Sequence, residues 1–304
     1  MTKEKKIIIR LSGGLGNQMF QYALGRNLAE KNNAALILDI SSFETDSSDT
    51  KRHFSLDSFN ISAKKATIID IQSVGIPNTS NKSLSGKLGR RFFRTIEYFR
   101  PLREKIFVIE PYFAFCPDIL EVRSSCYLSG VWQSEKYFKD IEGLIRKEFT
   151  LRNKPSIETG NWMEKVSGCN SVSLHIRRGD YVNIPKTNQF HGVCSLEYYD
   201  EAMALITQKI ANPVFFVFSD DIGWVKENLK TSRSMFYVSD NAVPDYEELI
   251  IMSKCKHHII ANSSFSWWGA WLNENPGKIV IAPERWFAGD TDTKDLIPAS
   301  WIRL

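Results

Sequence analysis

None of the five cysteines, Cys116, Cys126, Cys169, Cys194 and Cys255, stands in a CxxC pair, so the sequence offers neither a zinc-ligand spacing nor a disulfide framework. A reducing compartment is expected. Net charge is scarce too: 39 lysines and arginines against 35 acids leave +4, too mild a balance to imply a nucleic-acid partner. The first apolar run, Ile7 to Ile9 behind the polar and basic Met1 to Lys6, is too short for a signal peptide or a membrane span, and a soluble cytoplasmic protein is expected. What is present is a globular composition. The 304 residues are 43% hydrophobic, 24% charged and 12% aromatic, which excludes disorder, collagen and coiled coil and suffices for two domains or one large one.

Ile7 begins a β-branched strand pattern that ends in a glycine-rich turn, Ser12 to Gly16, and a helical pattern follows from Gln18 to about Glu30. The apolar run Ala34 to Asp39 predicts the next strand. Polar segments at Thr45 to Thr50 and Pro77 to Ser85 then break any simple repeat. From Ser171 the alternation becomes regular. Strands are expected at Ser171–Ile176, Val214–Phe218, Met235–Val238, His258–Ala261 and Lys278–Ala282, with helices at Leu196–Ile210, Ile222–Leu229, Tyr246–Cys255 and Phe265–Leu272. Apolar strands separated by helices imply a parallel sheet buried on both faces. The polar stretch Asn153 to Gly168, after a helical pattern at Glu135 to Phe149, places a boundary near 165, giving domains 1–165 and 166–304.

The polar and charged clusters fall just beyond the carboxyl ends of predicted strands: Gly13 to Asn17, His175 to Asp180, Ser219 to Asp221, Ser239 to Asp240 and Asn262 to Ser264. Ligands bind at that edge of open α/β sheets. The turn Gly13-Gly14-Leu15-Gly16-Asn17 lets backbone approach a phosphate or sugar, although it matches neither the GxGxxG spacing nor a phosphate-binding P-loop. His175-Ile176-Arg177-Arg178-Gly179-Asp180 brings a buried strand into two arginines. Guanidinium forks suit diphosphate oxygens, and one arginine could face a ligand while the other pairs with Asp180 or a neighbouring acid. Asn262-Ser263-Ser264-Phe265 reads as helix caps whose free N–H groups also form an anion site. Trp268 and Trp271 share a helix face, the spacing of core packing. Asp220 and Asp221 either hold nucleoside or metal, or cap the next helix; no metal site is convincing.

Residues 82–105 carry eight basic side chains, Lys82, Lys87, Arg90, Arg91, Arg94, Arg100, Arg103 and Lys105, against Glu97 and Glu104, with Leu88, Phe92, Ile96 and Phe99 at helical spacing. Two readings stay open: peripheral contact with an anionic membrane surface, and a solvated helix covering the core.

Taken together, these motifs resemble the bacterial α-1,2-fucosyltransferases of glycosyltransferase family 11. The resemblance spans nearly the whole chain. It is carried by GGLGNQMFQYALGRNLA from Gly13, HFSLDSF from His53, YLSGVWQSEKYF from Tyr127, HIRRGDY from His175, FSDD from Phe218 and NSSFSWWGAWL from Asn262. It implies an α/β fold of GT-B type, two Rossmann-like domains facing across a cleft. Residues 1–165 would form the acceptor side and 166–304 would bind GDP-β-L-fucose. The implied reaction is an inverting, metal-independent transfer of L-fucose to the 2-hydroxyl of a terminal β-galactoside, in surface polysaccharide biosynthesis. No cofactor is implied beyond the donor substrate.

By the same resemblance Arg177 and Ser264-Phe265 match phosphate-holding positions, and His175 orients the pocket. Asn17 reaches the reacting centre from the other domain, and Glu248 stands where the family has Asp reading the guanine edge. Gly14, Gly16, Arg178, Asp220, Asp221, Asn262 and Ser263 complete the donor-binding set. Asp180 and His191 are the candidate bases for the acceptor hydroxyl, and Asp180 alternatively anchors Arg178. Acceptor choice is expected in the loop Pro185 to Gly192 and in the N-terminal half. Two other readings remain: a glycosyltransferase using another GDP-sugar such as GDP-mannose, and a nucleotide-sugar-binding protein without turnover.

Overall fold

A computed structural model describes residues 4–44, 51–77, 84–239 and 243–304, with the side chains of 84–88, 90 and 94 left aside. The chain divides into two units. The first comprises Met1–Leu56, Ile61–Phe149 and Lys294–Leu296, and the second Asp57–Asn60, Thr150–Thr293 and Ile297–Leu304.

In the first unit, β1 (Lys6–Arg10), α1 (Leu15–Asn32) and β2 (Ala35–Asp39) form the expected strand–helix–strand. Then come α2 (Ser41–Glu44), β3 (Lys64–Lys65), α3 (Ile68–Ser73), α4 (Leu84–Phe99), β4 (Phe107–Ile109), β5 (Cys126–Ser129) and α5 (Glu142–Glu148). The sheet order is β3-β2-β1-β5-β4, and every pairing is parallel. Because β2 and β5 flank β1 on opposite sides, the strand order reverses between β1 and β5. The Ile7-Ile8-Ile9 core of β1 is fully buried, as a central parallel strand requires.

The second unit runs α6 (Ile157–Ser167), β6 (Asn170–Ile176), α7 (Gly179–Asn183), α8 (Pro185–His191), α9 (Leu196–Lys209), β7 (Pro213–Ser219) and α10 (Ile222–Asn228). It continues with β8 (Met235–Tyr237), α11 (Asp245–Lys254), β9 (His257–Ile259), α12 (Ser264–Leu272), β10 (Val280–Ala282) and β11 (Ile302–Arg303). The order β11-β10-β9-β6-β7-β8 reverses between β6 and β9. Strand alternation builds two cores. Phe215 and Val217 pack with α9 and α10 residues such as Met203 and Val225, whereas Phe216 and Phe218 pack with Val166, Ile251 and Met252 from α6 and α11. Each such side chain contributes about 2 kcal/mol by leaving water.

Two parallel α/β units in one chain are the GT-B type of organisation. The main division lies between Phe149 and Thr150, ahead of the expected boundary near 165. The polar stretch Asn153 to Gly168, in which the boundary was expected, holds α6, whose N-cap Ser156 accepts the N–H of Thr159 and whose Val166 is fully buried. The region Pro185 to Gly192, read as a loop, is mostly α8, started by Pro185 at its first position.

Candidate active site

The reversal between β6 and β9 puts the carboxyl ends of two central strands side by side, the position where open α/β sheets take ligands. β6 ends at Ile176, and Arg177 and Arg178 follow it directly. Arg177 is held by two carboxylates: Nη1 lies 2.9 Å from Asp220 Oδ2, and Nη2 pairs with Asp180 Oδ1. Its guanidinium also stands 5.2 Å from the Tyr181 ring centre. Arg178 is taken up elsewhere. Its Nε reaches Asp221 Oδ2 at 3.3 Å, and its guanidinium lies 3.5 Å from the Trp224 ring centre, the geometry of a cation–π stack. Asp180 therefore anchors Arg177, not Arg178, because the first turn of α7 carries Asp180 back toward Arg177.

Asp220 and Asp221 hold the arginine pair in place. Asp220 Oδ1 accepts the backbone N–H of Arg178 at 2.8 Å. Asp221 Oδ1 accepts the N–H of Trp224 at 3.2 Å and so caps α10. Among the described residues no three His, Cys, Asp or Glu side chains gather as a metal site.

Two histidines line the same edge. His175, buried on β6, has its ring 5.6 Å from that of Phe265. Burial, and then the charge of Arg177, push its imidazole down to about 3. His191 closes α8 and stacks on Tyr181 at 4.4 Å with a 10° interplanar angle. Burial pulls it down to about 4, against the charge of Asp180, which acts to raise it. Both imidazoles are thus neutral at physiological pH, and the Nδ1 atom of each is buried without a hydrogen-bond partner among the described residues.

After β9 the chain enters α12 through Asn262 and Ser263. Ser263 caps the helix, its hydroxyl accepting the N–H of Phe265 at 3.4 Å. Ser264 and Phe265 open the first turn, half-buried beside His175. Asn262 is buried and fully occupied. Its Nδ2 donates to the carbonyls of His191 (2.9 Å) and Trp286 (3.2 Å), and its Oδ1 accepts from Cys194 Sγ at 3.6 Å. Its contribution is to fasten the His191 turn to β9. Trp267, Trp268 and Trp271 are core, as their spacing suggests.

The first unit builds a second polar edge at its own reversal, between β1 and β5. Gly13 adopts φ +74°, which a side chain would resist, and a Cβ there would lie 2.7 Å from Asn17 Nδ2. Gly14 caps α1, and Gly16 is buried in its first turn. Asn17 Oδ1 accepts from Gln133 Nε2 at 2.8 Å. Gln18 and Gln21, both buried, bind the loops around them: Gln18 donates to the carbonyls of Gly13 and His53, and Gln21 donates to that of Gly130. Sequence reasoning missed the partner of this cluster, Glu110, one residue past β4. Its carboxylate accepts the N–H groups of Val131 (2.6 Å) and Trp132 (2.9 Å). Trp132 is buried with φ +56°, a strained backbone that its surroundings must hold. Burial pushes Glu110 up to about 7, while the two N–H groups pull the other way.

Glu248 lies half-buried on α11. Its neighbour Glu247, not singled out from the sequence, is buried and accepts from the hydroxyls of Ser156 at 2.6 Å and Thr159 at 2.5 Å. That ties α11 to the start of α6. Asp240 lies outside the described residues, as does Lys82 of the basic segment. In α4, Phe92, Ile96 and Phe99 are exposed and Glu97 is buried, so the apolar stripe does not cover the core. All five cysteines are free.

A family model described as glycosyl transferase family 11 matches residues 105–304. The O-antigen biosynthesis glycosyltransferase WbnK of Escherichia coli is 37% identical over 306 residues, covering 97% of this chain and 99% of that protein. An alpha-1,2-colitosyltransferase of Escherichia coli is 33% identical over 312 residues, covering 98% of each. The galactoside alpha-(1,2)-fucosyltransferase 2 of Sus scrofa is 28% identical over 153 residues, covering 48% of this chain and 45% of that protein. Among solved structures, a mutant of Arabidopsis thaliana FUT1 in complex with GDP aligns with TM-score 0.52 at 12% identity, covering 99% of this chain and 76% of that one. That is a likeness of fold.

Proposed function

This chain belongs to glycosyl transferase family 11, and on that premise we propose that it transfers L-fucose from GDP-β-L-fucose to the 2-hydroxyl of a terminal β-galactoside in a surface glycan. The transfer inverts the anomeric centre and needs no metal ion. The observation that carries the reading is Arg177, fixed by Asp180 and Asp220 at the strand reversal where α12 begins. As the C1–O bond to phosphate breaks, negative charge builds on the diphosphate. A pre-positioned guanidinium and the N–H groups of the α12 first turn, around Ser264 and Phe265, meet that charge without reorganising.

The acceptor hydroxyl attacks C1 and gives up its proton. Of the two candidate bases, Asp180 is engaged by Arg177, which leaves His191 as the base in this reading, with a basicity that burial lowers. His175 backs the donor site, and Glu248 reads the guanine edge.

The colitosyltransferase similarity favours a second reading of the donor. Colitose is fucose without its 3-hydroxyl, so the same phosphate and guanine contacts serve both. The test is GDP release from GDP-fucose, GDP-colitose and GDP-mannose, each with β-galactoside acceptors, with and without EDTA. Acceptor-dependent release from GDP-fucose that survives EDTA, with an α-1,2 product by NMR, is the expected result. Preference for GDP-colitose transfers the assignment to that sugar. Loss with EDTA and recovery with Mg²⁺ overturns the metal-free mechanism, and donor binding without release overturns the enzyme.

A further inference from the structure

We infer that α4 is an in-plane membrane helix through which the protein docks on an anionic phospholipid surface. The helix is held to its own unit by one side. Glu97 is buried there, its Oε2 accepting the N–H groups of Ile106 and Phe107 at 2.9 Å each, while its Oε1 pairs with Arg100 at 2.7 Å. Phe92, Ile96 and Phe99 follow one another at helical spacing on the opposite side, and they are exposed by 69%, 41% and 79%. Three large apolar side chains on one stripe of a single helix, turned to water, form a face that gains by burial.

The charge says what covers it. Residues 82–105 hold eight basic and two acidic residues, a surplus of six, whereas the whole chain has a surplus of four. The rest of the chain is therefore net acidic by two, and its positive charge is concentrated on this segment. Both acids pair within the segment, Glu97 with Arg100 and Glu104 with Arg103, which leaves the surplus of six on the other basic residues. An exposed aromatic and aliphatic stripe on a segment whose sequence carries this surplus of basic residues matches the acyl–headgroup boundary of an anionic leaflet. No described helix is long and apolar enough to cross a membrane, so α4 would lie in the surface plane, at 1.5 Å per residue a rod of about 24 Å for its 16 residues. This inference is independent of the donor and acceptor proposed above.

The test is flotation of the full-length protein with phosphatidylglycerol vesicles and with phosphatidylcholine vesicles. Binding to the anionic vesicles at least about tenfold stronger, and weakened by salt, is expected. The pair Phe92→Asp/Phe99→Asp should abolish it, and Arg90→Gln/Arg91→Gln/Arg94→Gln should weaken it about tenfold or more. Unchanged GDP-sugar turnover on a soluble acceptor would show that both variants are folded. Equal binding to both vesicle types, or full binding by the phenylalanine variant, overturns the proposal. So does a wild-type protein that ignores vesicles but sediments as a dimer split by the phenylalanine variant, for then a second copy covers the stripe.

Discussion

Gly179 and Asp220 stand so close that a Cβ at position 179 would overlap the Asp220 carboxylate. That carboxylate holds both the Arg177 guanidinium and the Arg178 backbone N–H. Gly179→Ala should therefore displace Asp220 and release Arg177 while leaving the core untouched. Turnover is expected to fall by about a hundredfold, the scale on which removing one oxyanion partner acts, with a melting temperature within a few degrees of wild type. Steady-state kinetics with a thermal melt checks it. Full activity would mean that Asp220 does not set the Arg177 position.

Asn262 bridges β9 to the His191 turn through one side-chain amide. Asn262→Ala strips the carbonyls of His191 and Trp286 of a buried donor. Leaving such groups unsatisfied costs about 1–3 kcal/mol, and the His191 ring would lose its fixed stacking on Tyr181. The expected result is a lower urea midpoint together with a fall in kcat. A stability loss without any change in kcat would remove His191 from the reaction.

The C-terminal alternation was legible because each buried strand is an apolar run bounded by capped helices, with Ser195 and Asp221 at the expected starts. The strand-end clusters were legible for the same reason, since polarity switches abruptly where a strand leaves the core. The partners were not. Arg177 and Asp180 are neighbours in sequence, but nothing local says that Arg178 turns away to Trp224, because that depends on where β7 ends. Glu110 was hidden for a similar reason: its partners Val131 and Trp132 lie on another strand's exit, and backbone N–H groups leave no mark on side-chain patterns. The α6 segment misled because its buried face is narrow and much of its surface is polar.

Glu110 carries the clearest pH dependence. Burial raises its carboxyl from the ordinary 4.5 to about 7, against the pull of the Val131 and Trp132 N–H groups. The folded protein then holds a proton that the unfolded chain has released. The resulting stabilisation is complete below about pH 4.5 and is lost as pH rises through about 7. Urea unfolding from pH 4.5 to 8 should show Glu110→Gln gaining on wild type as pH rises. A constant difference between the two across that range would sink the assignment. The variant also loosens the Trp132 turn and hence Gln133, the hydrogen-bond partner of Asn17.

Glu247 and Glu248 are consecutive on α11 and should respond to truncation in opposite ways. Successive helical residues point about 100° apart. One carboxylate is turned into the α6 junction and the other is left half-buried at the helix start. Burial pushes the Glu247 carboxyl up, but the Ser156 and Thr159 hydroxyls outweigh it and hold the group below its ordinary value. Glu247→Ala should therefore cost about 2 kcal/mol of unfolding free energy, the scale of hydrogen bonds to a charged group, and leave the affinity of the folded protein for GDP unchanged. Glu248→Ala should weaken GDP binding about tenfold, with a smaller effect on the unfolding midpoint than Glu247→Ala, because a guanine edge that loses a carboxylate loses the acceptor for two of its N–H groups at once. Calorimetric titration with GDP, set beside urea melts, separates the two. If Glu248→Ala binds GDP as wild type does, the role proposed for Glu248 in reading the guanine edge is wrong.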